Sequence, residues 1–139
     1  MLYDELRALS LLDGFTDEQV ADLAASGAEV TYEPGEHLFV EGRPADDWWV
    51  LLEGKVEMVR QIGHEEVVVV TMEVPGQWAG GFRAWDEQGV YLATGRGAEP
   101  GRMLRVPAQA LKDRAIAWFP FAMSLIEGCL LYTSPSPRD

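Results

Sequence analysis

The sequence is poor in cysteine, in histidine and in positive charge. Its single cysteine, Cys129, has no partner for an internal disulfide, and no cluster of Cys or His surrounds it. That usage points to a reducing compartment and a cytoplasmic location. The two histidines, His37 and His64, stand far apart without a ligand-spaced neighbour, so no metal site is expected. Eleven Lys and Arg face 23 Asp and Glu, a formal charge of −12. With an isoelectric point near 4.5, the chain lacks the basic footprint that direct binding to nucleic acid or to an anionic membrane needs. No Gly-x-x-x-x-Gly-Lys loop is present. Ser10, Ser26 and Ser124 sit in no nucleophile elbow, and Cys129 has no adjacent base. Asp46-Asp47 and Asp86-Glu87 read as solvated turn pairs rather than an acid–base couple. An enzyme is not expected.

Long hydrophobic runs are also scarce. The opening MLYDELRALS is acidic and helical in pattern, unlike a secretory signal. The longest apolar stretch, Ala115 to Tyr132, is interrupted by Pro120, Ser124, Glu127 and Gly128. It reads as two packed helices and not as a membrane span. With 139 residues and 47% hydrophobic composition, the chain is one domain's worth of ordinary globular protein.

Two amphipathic stretches come first. Leu2, Leu6 and Leu9 recur at helical spacing, and Thr16 with Gln19 forms a capping box that opens a second helix ending at Gly27. From Ala28 the rhythm changes to short β-type runs punctuated by glycine. The expected strands are Glu29–Tyr32, His37–Val40, Trp48–Leu52, Val56–Arg60, Val67–Val74, Val90–Thr94 and Met103–Val106. Many short strands at this spacing indicate a sandwich, jelly roll or barrel. The helical period returns after Pro107 through Leu111, Ala115 and Trp118, breaks at Pro120, and resumes from Phe121 to Leu131. The division is then helices at 1–27, a β region at 28–106, helices at 107–131 and a tail at 132–139. The closing string LLYTSPSPRD has no apolar period and resembles translated adapter read-through, so the tail is expected to be non-native and the protein to be a fragment.

The stretch YEPGEHLFVEGRPADDWWVLLEGKVEMVR, Tyr32 to Arg60, resembles the cyclic nucleotide-binding domain of Crp/Fnr-type regulators, kinase regulatory subunits and gated channels. Gly35, Gly42 and Gly54 fall where a tight roll must turn, at positions suited to φ > 0. The resemblance covers about residues 2 to 131. It implies a mainly β fold, the jelly roll or double-stranded β-helix with helices at both ends, and not the metal-holding cupin roll with its clustered histidines.

In that family a phosphate-binding cassette grips the ligand. Backbone N–H groups at a short helix and an arginine hold the cyclic phosphate, while a Glu accepts from the ribose hydroxyl. The matching segment here is residues 75–94. Gly80 matches the family glycine, and Gly81 stands where the Glu belongs. Ala93 and Thr94 align with the end of the Arg-Ser-Ala segment, which puts Tyr91 at the arginine, followed by Leu92. Both signature side chains are absent, which argues against conventional cAMP binding because a buried, unpaired phosphate is costly. Arg83 is a candidate substitute contact, or else a surface arginine paired to Asp86 or Glu87. The candidate ligand set is Gly80, Gly81, Phe82, Arg83, Ala84, Tyr91, Leu92, Ala93 and Thr94.

Ala79-Gly80-Gly81-Phe82-Arg83-Ala84 together with Trp118-Phe119-Pro120-Phe121-Ala122 is similar to the N-terminal sensor domains of some actinobacterial histidine kinases. The resemblance implies a nucleotide-like ligand, a downstream output module reached through the C-terminal helices, and a homodimer. No resident cofactor is implied. The sensor half of a Crp/Fnr-type transcription regulator is the alternative, and a non-binding dimerisation or docking module is a third.

Overall fold

The computed structural model describes residues 2–9, 12, 15–81 and 86–117. The expected helix at Phe121 to Leu131 and the tail lie outside them. Helices α1 (Leu2–Arg7) and α2 (Asp17–Ser26) lead into six strands: β1 (Ala28–Tyr32), β2 (His37–Phe39), β3 (Asp47–Ile62), β4 (Glu65–Met72), β5 (Trp78–Gly80) and β6 (Thr94–Pro107). Helix α3 (Ala108–Ala117) follows directly. All strand pairings are antiparallel, in the order β1-β6-β3-β4, with β2 on β6 and β5 on β3. The mainly β roll expected from the sequence is the fold.

Local sequence explains the punctuation. Thr16 Oγ1 accepts from the Gln19 N–H at 3.1 Å, and Gln19 Oε1 accepts from the Thr16 N–H at 3.0 Å. This reciprocal pair satisfies two of the orphan donors that open α2. Gly35, Gly42 and Gly54 take φ of 91°, 84° and 98°.

Three strand expectations need correction. Trp48–Leu52 and Val56–Arg60 are not separate strands; they are the two halves of the 16-residue β3. Gly54 bends that strand without ending it, because its positive φ admits a register shift against β6 and pairing resumes beyond. The corner takes only a glycine: a Cβ on Gly54 would stand 2.6 Å from the Tyr32 hydroxyl and 2.7 Å from the Pro100 carbonyl. Val90–Thr94 is not a strand. Val90 forms an isolated bridge to Pro44, whose missing N–H limits any ladder there, and Thr94 belongs to β6. β6, by contrast, runs from Thr94, well before Met103. Its glycines look like a loop in sequence, yet Gly97 is bare because the Tyr32 ring lies 2.6 Å from where its Cβ would be.

The run Trp48–Leu52 is buried on both faces. Trp48, Val50 and Leu52 point, with Leu104 and Val106, into a layer covered by Leu6, Val20, Leu23 and Leu111 from the helices. Trp49 and Leu51 point the other way, into the roll, with Tyr32, Phe39, Met58, Met72, Ala79, Tyr91, Ala93 and Met103. Strand alternation thus divides one apolar run between two cores. Arg102 ties the edges of this assembly together. Its guanidinium donates to Glu29 at 2.8 Å, to Glu53 at 2.8 and 3.0 Å, and to Glu5 of α1.

Candidate functional site

β5 ends on Gly80, and the chain turns through Gly80 and Gly81 with φ of 83° and 75°. The Gly81 N–H donates to the Asp47 carbonyl at 2.8 Å. Phe82, Arg83 and Ala84, with Trp85, lie outside the described residues. The chain returns along residues 42–45: the Gly42 N–H donates to the Tyr91 carbonyl at 2.9 Å, and the Tyr91 N–H to the Arg43 carbonyl at 2.9 Å. These bonds seat Tyr91 with its side chain inward.

Tyr91 is buried, with 6% of its surface exposed. Its hydroxyl accepts from the Trp49 indole N–H at 3.1 Å and from the Asp47 backbone N–H at 3.3 Å. It donates to the Asp47 carbonyl at 3.2 Å. One donor and two acceptor positions are a phenol's full capacity, so the group needs no further partner. The ring stacks on Phe39 with centroids 4.7 Å apart, and the Trp49 ring is tilted against Phe39 at 5.6 Å. Burial holds the phenol's pKa above its ordinary value, against the lowering effect of the Trp49 and Asp47 hydrogen bonds. Among the described residues no charged side chain is buried. The described interior around Tyr91 is lined by Phe39, Trp49, Leu51, Met58, Ala79 and Ala93, and the Arg105 guanidinium lies 5.9 Å from the Trp49 ring.

The structure brings Gly80, Gly81 and Tyr91 together around Asp47, with Ala93 buried in the same core as Tyr91. A Cβ on Gly80 would stand 2.6 Å from the Asp47 carbonyl and 2.8 Å from the Tyr91 ring. The same test at Gly81 meets Leu111 at 2.9 Å and Trp48 at 3.0 Å, so Gly81 faces the helix layer and not the roll interior. Leu92 points outward and is 44% exposed. Thr94 opens β6 with its hydroxyl accepting from the Glu41 N–H at 2.9 Å. It lines a cavity of about 60 Å³ with His37, Glu41 and Arg96, apart from Tyr91. A wider cleft of about 370 Å³ lies under α1, against Leu9, Leu52 and Pro75.

Sequence reasoning missed Phe39, Trp49 and the Asp47 backbone. The alternation in Trp48-Trp49-Val50-Leu51-Leu52 was the available signal for Trp49, since consecutive strand residues take opposite faces. Asp47, read as a turn carboxylate, contributes through its peptide group. Its own carboxyl is pushed up in pKa by burial, which outweighs the nearby Arg105 guanidinium.

The chain matches the cyclic nucleotide-binding domain family over residues 29–115. It belongs to that family. Among solved structures it is similar to the N-terminal domain of a transcriptional regulator from Streptomyces coelicolor, at 30% identity and a TM-score of 0.71, over 93% of this chain and 90% of that one. The sensor domain of the transcriptional regulator DNR from Pseudomonas aeruginosa matches at 20% identity and a TM-score of 0.76, over 94% of this chain and 87% of that one. The regulatory domain of Toxoplasma gondii PKA, solved with cAMP, matches at 19% identity and 0.69, over 84% of this chain and 45% of that one. The last two likenesses speak for the fold. No curated protein sequence matches the chain. No helix among the described residues is long and apolar enough to cross a membrane.

Proposed function

We propose that this cyclic nucleotide-binding-family domain is a regulatory sensor whose cassette is degenerate. Tyr91 aligns in sequence with the phosphate-binding arginine, and Gly81, aligned with the ribose-binding glutamate, faces the helix layer instead. The observation that carries the reading is the saturated Tyr91 hydroxyl, stacked on Phe39 and bonded to Trp49 and Asp47. A side chain so satisfied fills the place that an arginine would hold open for an anion, and its loss to an entering ligand costs three hydrogen bonds. A ligand of chemistry other than a conventional cyclic nucleotide therefore has to displace Tyr91 to enter. Its occupancy shifts the population of arrangements of the helix after β6, and so of an output module. The 30% identity to the N-terminal domain of a transcriptional regulator favours a transcription-regulator output. A histidine kinase output and a docking module without ligand are the other readings, and the cytoplasm is the compartment proposed.

Thermal unfolding of the chain against cAMP, cGMP and inorganic phosphate tests this. A ligand at a hundred times its dissociation constant stabilises by about 2.7 kcal/mol, roughly 5–10 °C for a domain of this size. The expected result is no shift in the unaltered protein. A shift of that size with one cyclic nucleotide would overturn the degenerate reading and send attention to Arg83.

A further inference from the structure

The Asp46–Asp47 backbone has Tyr91 on one side and the start of α3 on the other. The Asp47 carbonyl accepts both the Tyr91 hydroxyl, at 3.2 Å, and the Gly81 N–H, at 2.8 Å, so both its lone pairs are used. One residue earlier, the Asp46 carbonyl accepts the Ala108 N–H at 2.6 Å. Ala108 is the first residue of α3, whose opening N–H groups have no partner within the helix. Asp47 is also the residue opposite Pro107, where the β3–β6 ladder ends and the helix begins. Gly81, held by the same carbonyl, is packed so closely against Leu111 of α3 that a Cβ there would stand 2.9 Å away. Roll interior and helix start thus share two consecutive peptide groups.

We infer that Tyr91 is a positioning residue for α3: its hydroxyl fixes the Asp46–Asp47 peptides in the orientation that caps Ala108 and seats Leu111 against Gly81. The element with two arrangements is the first turn of α3, docked while Tyr91 is seated and loosened when its ring leaves. The regulatory event at this site is then the departure of a neutral phenol, not the neutralisation of an anion by a buried charge. This deepens the proposed function and rests on Tyr91 as the residue at the cassette's anion position.

Hydrogen exchange on the full chain tests it, read at the amides of Ala108 to Leu111. Tyr91→Phe keeps the ring and removes the hydroxyl. It is expected to speed exchange at Ala108 by about fivefold, the change one neutral hydrogen bond is worth, with smaller changes in β1 and β4. Tyr32→Phe is the control, since it removes a hydroxyl that donates to the Glu53 carbonyl at 3.3 Å, far from α3 in the fold. Tyr91→Ala with added phenol is the second arm: phenol at millimolar concentration is expected to restore the lost protection, while benzene is not. Equal effects of Tyr91→Phe and Tyr32→Phe at α3, or no effect of either, overturn the coupling. Rescue by benzene as complete as by phenol overturns the role of the hydroxyl. If Tyr91→Ala does not fold, Tyr91→Phe against Tyr32→Phe decides alone. A failure of the underlying reading shows differently, as a nucleotide-induced rise in melting temperature of the unaltered protein.

Discussion

The indole N–H of Trp49 donates to the hydroxyl of Tyr91 across 3.1 Å, joining residues 42 apart in sequence. Two aromatic side chains that are apolar over most of their surface each use their single polar handle on the other. The bond closes the roll interior at the place where the family resemblance implies an arginine.

A double-mutant cycle measures that bond. Trp49→Phe and Tyr91→Phe each remove one partner. Each is expected to cost about 1–3 kcal/mol in urea unfolding, from the lost bond and the volume or polar group left behind. The coupling between them is expected to be about 0.5–1.5 kcal/mol. Strictly additive costs would mean the two groups do not interact.

Gly81→Ala is expected to destabilise the fold by about 1–3 kcal/mol. Its φ of 75° is strained for any side chain, and the new Cβ would press on Leu111 and Trp48. Restoring the family pair with Gly81→Glu and Tyr91→Arg meets the same obstacle, so that variant should melt below the parent. A variant as stable as the parent would show that α3 yields there without cost.

Acid should weaken the Arg102 junction. The hydrogen bond from Arg102, outweighing burial, holds the Glu5 carboxyl below the ordinary glutamate range. A lowered folded-state pKa gives stability that is complete above the unfolded value, ~4.3, and is lost as pH falls through the folded one. Glu29 and Glu53 are more exposed than Glu5, so screening keeps the whole junction to about 1–2 kcal/mol. Melting temperatures of the parent and Arg102→Met, followed from pH 7 to 3, should converge at the acid end. Curves that stay parallel would remove Glu5 from the account.

Strand β4 separates exposure from hydrophobicity. Val69 is 44% exposed, whereas Met72, three residues on, is 3% exposed and inside the roll. Val69→Thr should stay within about 0.5 kcal/mol of the parent, and Met72→Ala should cost about 2–5 kcal/mol. Chemical denaturation of both reads the difference, and a large cost at Val69 would mean the strand is covered in solution.

Much of the roll was legible beforehand because its signals are local. A φ preference belongs to one residue, so Gly35 and Gly42 announced their turns, and Gly54 its positive φ though not the unbroken strand around it. A capping box spans four residues, so Thr16 and Gln19 announced α2. The apolar run from Trp48 to Leu52 announced a strand, but its burial on both faces and its continuation past Gly54 came only with the structure. The candidate site was legible only as a pair of absences, at Gly81 and Tyr91. What Tyr91 does instead depends on Asp47, 44 residues earlier, and on the register that brings β3, β5 and the 42–45 segment beside it. The same holds for Gly81, whose neighbour Leu111 is 30 positions away on α3. Local chemistry decides where a chain turns. Which carbonyl a buried hydroxyl meets is decided when the strands have paired and the helices have closed over them, because only then are distant residues held within the 3 Å that a hydrogen bond requires.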